Sequence, residues 1–238
     1  IELSQAKDKF EKLNEQLNNF AYRLTHDLKS PINGVSFLLD VLKEDHLDLY
    51  KNTEAEGYIN LISNRIVYMN NLVNEILNYS KVTSENIIYE DFNLKELLES
   101  IISNNDFENK MLLSSNGLDK KINCSKIGVL QIFQNLISNS RKFSDEDKVI
   151  IEVILNEDEE YFHLTYMDNG PGIEEEYREK VFEMFETLNN ESNNNTGIGL
   201  TTVKSIIKRL GGTISLSERE DKNKGVCFIF NISKRNIN

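Results

Sequence analysis

Tryptophan is absent from these 238 residues, and cysteine and proline occur only twice each. Two cysteines, Cys124 and Cys227, are too few for a disulfide framework and lack the spacing of a metal site. Ordinary thiols in a reducing compartment are expected, and with them a cytoplasmic location. No apolar run approaches the ~20 residues of a bilayer span, and no leader-type segment opens the chain, so no direct membrane contact is expected of it. Basic residues are in deficit, 27 against 39 acidic ones, for a net charge of -12. A nucleic-acid binder would show a basic face, so nucleic acid is excluded as a general partner. Small phosphate ligands are not excluded, because local donors rather than net charge make a phosphate site. What remains is a globular composition, 39% hydrophobic and 28% charged, long enough for one large or two ordinary domains.

The first regularity is helical. Apolar residues recur at Leu3, Ala6, Phe10, Leu13, Leu17, Phe20 and Leu24, in alternating steps of three and four. That is the seam of a paired or bundled helix, and it continues through Leu28, Ile32, Val35, Leu39 and Leu42. At ~100° per residue, His26 points away from the seam because it lies two residues from both Leu24 and Leu28. Asp27 is beside it, and Ser30 shares its face one turn on. Pro31 cannot donate to the Asp27 carbonyl and its ring crowds that oxygen, so a slight bend is expected one turn below an exposed histidine. Residues 1 to about 48 read as one long helix, and 44–57 as a polar turn in which His46 is simply solvated. From about 55 to 82 a second helix carries Ile59, Ile62, Ile66, Met69, Val73, Ile76 and Ser80. Such a hairpin has no third helix to cover its stripe. Pairing of two copies into a four-helix bundle is expected, with packing on the downstream region as the alternative. Ile1 falls in mid-heptad without an initiator Met, so the chain is expected to be a piece of a longer protein, any membrane anchor belonging to a missing upstream region.

Residues 83–90 read as a linker running into a first strand. Helix signals at 94–103 (capped by Asn93), 125–142, 174–185 and 200–210 then alternate with strand signals at 110–114, 121–124, 149–156, 161–168, 213–217 and 226–232. This is an α/β sandwich, one helical layer on one mixed sheet, and the whole chain is of the α+β multidomain class. The stretch 189–195 is Asn-rich and too poor in apolar residues to pack.

Three patterns carry chemistry. The helix from Ser125 buries Val129, Leu130, Ile132, Phe133, Leu136 and Ile137, leaving Asn135, Asn139 and Lys142 on the opposite stripe. Asparagine is a weaker helix former than the Glu and Lys usual on a solvated face, which suggests work for the amides. An amide oxygen suits Mg²⁺, and Lys142 suits phosphate. Next, Asp168-Asn169-Gly170-Pro171-Gly172-Ile173 lies between strand and helix signals, where glycines allow close approach of the backbone to a ligand and Asp168 can accept from an amino group. An ordinary Gly-Pro turn is the alternative there. Last, Thr196-Gly197-Ile198-Gly199-Leu200 enters a helix and can turn its N–H groups toward phosphates.

Phe20 with His26-Asp27-Leu28-Lys29-Ser30-Pro31 resembles the phospho-accepting H-box of sensor histidine kinases. QIFQNLISNSRKF (131–143) is similar to their N-box, 168–173 to the first glycine box, Val181–Phe185 to the F-box and 196–200 to the second glycine box, all in the family's order. The resemblance implies a dimerisation and phosphotransfer hairpin (1–82), a linker (83–90) and an ATP-binding domain (91–238). It implies ATP and Mg²⁺ as cofactors, a homodimer, and the receiver domain of a response regulator as protein partner. By the same match His26 accepts phosphate, with Asp27 and Ser30 beside it. Asn139 is the Mg²⁺ ligand supported by Asn135, with Lys142 at the phosphates and Phe143 along the nucleotide. Asp168 reads adenine, with Gly170, Gly172 and Ile173 completing that box. Phe185 braces a lid, which closes through Thr196, Gly197, Gly199 and Leu200.

Three positions depart from the family pattern. Asp27 stands where Glu is commoner, Ser30 where Thr or Asn is frequent, and Thr187 where an Arg often follows the F-box. Ser30 leaves a phosphatase activity toward the regulator open. Two rival readings are an ATPase of the gyrase and Hsp90 type, which would place a Glu where Asn135 stands, and a non-catalytic dimeric scaffold or phosphorelay module, against which the intact nucleotide boxes count.

Overall fold

The computed structural model describes residues 25–84, 87–105, 111–188, 195–219 and 224–235. The seam from Leu3 to Leu24, including Phe20, and the stretch 189–194 lie outside them. The chain divides into two compact units: residues 1–85 with 185–198, and residues 86–184 with 199–238.

In the first unit, helix α1 (25–45) runs without interruption through Pro31, a single turn α2 (Leu47–Tyr50) follows, and α3 (Glu54–Ser84) returns. The reversal is built from polar ties. Buried Tyr50 donates its hydroxyl to the Lys43 carbonyl at 3.2 Å, and Asn52 adopts a left-handed φ of 62° that asparagine tolerates. Lys29 Nζ donates to Asn74 Oδ1 at 3.1 Å, pinning α1 to α3. On α3 the expected stripe splits. Ile59, Ile66, Val73 and Ser80, seven residues apart, are buried, whereas Ile62 and Met69 remain 47% and 40% exposed. On α1, Leu28 and Val35 are exposed too. One edge of each helix therefore covers its partner, and a second apolar edge stays open in the single chain.

The second unit holds a small antiparallel pair, β1 (Glu90–Asn93) with β3 (Lys121–Cys124), and a five-stranded sheet of order β2-β4-β5-β7-β6. Its strands are β2 (Met111–Asn116), β4 (Val149–Glu157), β5 (Tyr161–Asp168), β6 (Ile214–Ser217) and β7 (Cys227–Ser233). Only β2–β4 is parallel, so the sheet is mixed as expected. Helices α4 (Leu94–Asn105), α5 (Lys126–Phe143) and α6 (Gly199–Arg209) form the other layer. Alternation builds the core. Val149, Ile151, Val153 and Leu155 of β4 and Phe162, Leu164 and Tyr166 of β5 are buried, while Ile150 between them is exposed. Phe133 of α5 meets Tyr166 and Phe230 with ring centroids 6.3 and 6.0 Å apart. Asn93 caps α4 by accepting from Glu96 N at 3.1 Å.

One expected element does not form. Residues 174–185 make two 3₁₀ turns, Glu175–Tyr177 and Lys180–Phe182, instead of a helix. Neighbouring Val181 and Phe182 are both buried, and Phe182 packs edge-on against Phe228. Glu183 is then extended and Phe185 left-handed (φ 70°), which breaks any continuation. No helix among the described residues is long and apolar enough to cross a membrane.

Candidate functional site

Helix α5 organises the second unit's site. Ser125 starts it by accepting from Gly128 N at 3.2 Å, and its apolar face, Val129, Ile132, Phe133, Leu136 and Ile137, is almost fully buried. Burial of that face fixes the opposite stripe, where Asn135 and Asn139 are half-buried and Lys142 is exposed. Asn135 Nδ2 donates to the Gln131 carbonyl at 2.9 Å. That bond directs Oδ1 toward Gly199, the first residue of α6, so closely that a Cβ there would lie 3.0 Å from it. Leu200 follows in the same first turn, and Thr201 ties that turn to the Phe182 carbonyl at 3.1 Å. Asn139 makes no side-chain hydrogen bond among the described residues, and its oxygen is available to a cation. Lys142 Nζ stands 5.9 Å from the centre of the Phe143 ring at the helix end.

Asp168 closes the same site from β5. It is 5% exposed and accepts from three protein donors. Oδ1 takes the N–H groups of Gly170 (3.0 Å) and Val226 (3.1 Å), and Oδ2 takes the Ser140 hydroxyl at 2.5 Å. Arg219 donates to the Asp168 carbonyl at 2.8 Å, and Gly225 packs so tightly on that carbonyl that no Cβ would fit. Asn169 clamps the box to the start of β4, accepting from Ile150 N at 2.8 Å and donating to the Lys148 carbonyl at 2.9 Å. Gly172 has a φ of 85°, closed to most other residues, and half-buried Ile173 ends the box. The second unit thus gathers Asn135, Asn139, Asp168, Gly170, Gly172, Gly199 and Leu200 around α5, with Lys142 and Phe143 at its C-terminal end.

Phe185, Thr196 and Gly197 belong to the first unit. Phe185 is 56% exposed, and its N–H donates to the Gly197 carbonyl at 3.0 Å. A Cβ on Gly197 (φ 70°) would come within 2.5 Å of the Phe185 carbonyl carbon, so a glycine is required where the two ends of this segment meet. Buried Thr196 donates its hydroxyl to Glu75 of α3. On α1, His26 and Asp27 are 78% and 79% exposed, with Nδ1 3.3 Å from Asp27 Oδ1. Ser30 is exposed one turn further on.

Two family descriptions match the chain. "His Kinase A (phospho-acceptor) domain" covers residues 16–85, and "Histidine kinase-, DNA gyrase B-, and HSP90-like ATPase" covers residues 124–236. The chain has the two-part catalytic core of a sensor histidine kinase. Among curated relatives, "Cyanobacterial phytochrome B" of Nostoc sp. is 31% identical over 220 residues, 90% of this chain. The chain spans 29% of that protein's length and 31% of "Phytochrome-like protein Cph1" of Synechocystis sp.. Histidine kinase ThkA, solved in complex with response regulator protein TrrA, is 25% identical with a TM-score of 0.62, over 98% of this chain and 66% of that one. Full-length ShkA in complex with AMPPNP shares the fold at 19% identity, with a TM-score of 0.64 over 90% of this chain and 45% of that one.

Sequence reasoning about this kinase core passed over the residues that hold Asp168: Ser140, Arg219, Gly225 and Val226. Ser140 carried a signal, since serine is a weak helix former and here stands in a helix interior on the buried side of α5. The other three lie on the β6–β7 connection, 51 to 58 residues along the chain from Asp168, where no local pattern links them to it.

Proposed function

We propose that this core transfers the terminal phosphoryl group of ATP to His26 and passes it to an aspartate on a response-regulator receiver domain, working as a homodimer. On this reading residues 1–82 dimerise and carry the phosphate, 83–90 link, and 91–238 bind nucleotide. The observation that carries it is the His26–Asp27 pair. A carboxylate can only accept, so it holds the proton on Nδ1 and leaves the lone pair of Nε2 directed outward on an exposed helix face. Nε2 forms a bond to phosphorus as the bond to the β–γ bridging oxygen breaks, and ADP departs. Asp27 stabilises the positive charge that develops on the ring. In the second step the nitrogen–phosphorus bond breaks toward an aspartate oxygen and the imidazole is restored.

The nucleotide's partners are assigned by chemistry. Asp168 accepts from the adenine amino group. Lys142 and the backbone N–H groups of the first turn of α6 would meet the phosphates. Asn139 would hold Mg²⁺, to which an amide oxygen with no partner among the described residues is suited, with Asn135 against Gly199 in support. Bound Mg²⁺ supplies neutralisation of the phosphate charge. Phosphoryl transfer asks chiefly for positioning and such neutralisation, so no activated nucleophile beyond the imidazole is needed.

The test is incubation with γ-labelled ATP and Mg²⁺, followed by addition of a receiver domain. Acid-labile, base-stable label on the chain that moves to the receiver is expected. Steady release of inorganic phosphate with no protein label would instead favour the ATPase reading.

A further inference from the structure

A buried polar cluster in the second unit lies against Asp168. Ser140 is 4% exposed and Tyr166 fully buried, and their hydroxyl oxygens are 2.7 Å apart. Ser140 Oγ also lies 2.5 Å from Asp168 Oδ2 and 3.1 Å from the Leu136 carbonyl. Serine has one hydroxyl proton, so it can serve only one of these three acceptors. A carboxylate is the strongest of them. Burial pushes the Tyr166 phenol well above its usual range, so it keeps its proton and donates to Ser140. The order of donation is therefore fixed: Tyr166 to Ser140, and Ser140 to Asp168. With Gly170 N and Val226 N on Oδ1, each group hydrogen-bonded to the carboxylate among the described residues is a donor. Each carboxylate oxygen has about two acceptor sites. Oδ1 is filled, whereas Oδ2 has one left.

We infer that Ser140, backed by Tyr166, is a specificity-determining positioning residue. It fixes Asp168 as an acceptor with a single free direction, so the site takes a purine bearing an amino group and rejects one bearing a carbonyl at the same position. Adenine offers the N6 amino donor there and guanine the O6 acceptor. A carbonyl oxygen set against Oδ2 leaves two acceptors facing each other without a proton. This inference rests on the proposal that Asp168 reads the base. Without Ser140 the carboxylate loses its hold on one side and can turn within its pocket, and the angular preference that separates the two bases weakens.

The experiment is calorimetric titration of the whole 238-residue chain with ATP and with GTP. The variants are Ser140→Ala, Ser140→Thr and Tyr166→Phe, each with its thermal midpoint measured. Wild type is expected to prefer ATP. Ser140→Ala should lose about tenfold of the ATP-over-GTP ratio, the worth of one hydrogen bond to a charged group. Ser140→Thr, which keeps the hydroxyl, should retain the ratio within about threefold. Tyr166→Phe, which leaves Ser140 donating but less well held, should fall between them and decides the matter if Ser140→Ala does not fold. An unchanged ratio in Ser140→Ala, or in Tyr166→Phe where the alanine variant is unfolded, would overturn the inference while leaving the proposed kinase reading intact. A wild-type chain that bound neither nucleotide would overturn that reading and this inference with it.

Discussion

Asn135 Oδ1 occupies the space that a side chain on Gly199 would need, at 3.0 Å from its ideal Cβ, while Asn135 Nδ2 is held by the Gln131 carbonyl. A methyl group there can be admitted only if the amide gives way. Gly199→Ala should leave the thermal midpoint nearly unchanged, because alanine's gain in helix propensity, about 1 kcal/mol at most, is offset by the displaced amide. It should weaken ATP binding by about tenfold, the cost of disturbing one supporting polar contact. Calorimetric titration beside a melting curve separates the two effects, and unchanged affinity would show that this approach of α5 to α6 has no part in the site.

The open edge of the hairpin supplies a second prediction. Ile62 and Met69 are 47% and 40% exposed, whereas Ile66 is 3% exposed inside the hairpin. Ile62→Glu with Met69→Glu should yield a folded monomer in sedimentation. Ile66→Glu should instead cost helix content, because it buries an unpaired carboxylate within one chain. A double variant that stayed dimeric would move the interface elsewhere.

Burial pushes the Cys124 thiol up to about 11, only partly offset by a backbone hydrogen bond at Ser125. The folded thiol keeps its proton where the unfolded one has lost it. Above roughly pH 9 the unfolded state binds fewer protons, so stability is full below that pH and falls until about pH 11, by about 2–3 kcal/mol. Urea unfolding from pH 7 to 11 should show this fall in wild type and a smaller one in Cys124→Ala, the other groups being common to both. Folded protein should also resist thiol alkylation. Parallel pH profiles for the two proteins would contradict the assignment.

Binding and transfer should separate between Asp168 and Asn139. A base contact acts throughout the reaction, so Asp168→Ala should mainly raise the nucleotide dissociation constant. A metal ligand acts most where charge is moving, so Asn139→Ala should reduce labelling at saturating ATP by about a hundredfold or more while sparing Mg²⁺-free binding. A fluorescent ATP analogue titrated with and without Mg²⁺, beside labelling rates, reads both. Equal behaviour of the two variants would mean the roles are misassigned.

Much of this architecture was legible because its signals are local. The Asn93 cap, the start of α5 at Ser125, its buried face and the alternation in β4 and β5 are each set by a few neighbouring residues, and each appears within a residue of where the sequence puts it. The same holds for Asn135, Asn139 and Lys142, whose stripe follows from helical geometry once the apolar face is known. The failures are non-local. The stretch 174–185 carries helix-forming residues, but packing of Phe182 on Phe228 and the left-handed turn at Phe185 override their propensity. The split of the α3 stripe depends on which neighbour each residue meets, and period alone cannot say that Ile66 is covered and Met69 open. The support of Asp168 from Arg219, Gly225 and Val226 arises only when β7 is laid beside β5.

The central claim is that His26 alone accepts phosphate, through the nitrogen that Asp27 leaves free. Its most direct test is site mapping of the label by mass spectrometry at neutral pH, on wild type and His26→Gln, with ATP affinity measured on the same samples. The account predicts a single phosphorylated residue in wild type, His26 modified at Nε2, and no label in His26→Gln with nucleotide affinity retained. Label that persisted in the variant, or an acid-stable ester on a hydroxyl residue of wild type, would contradict it.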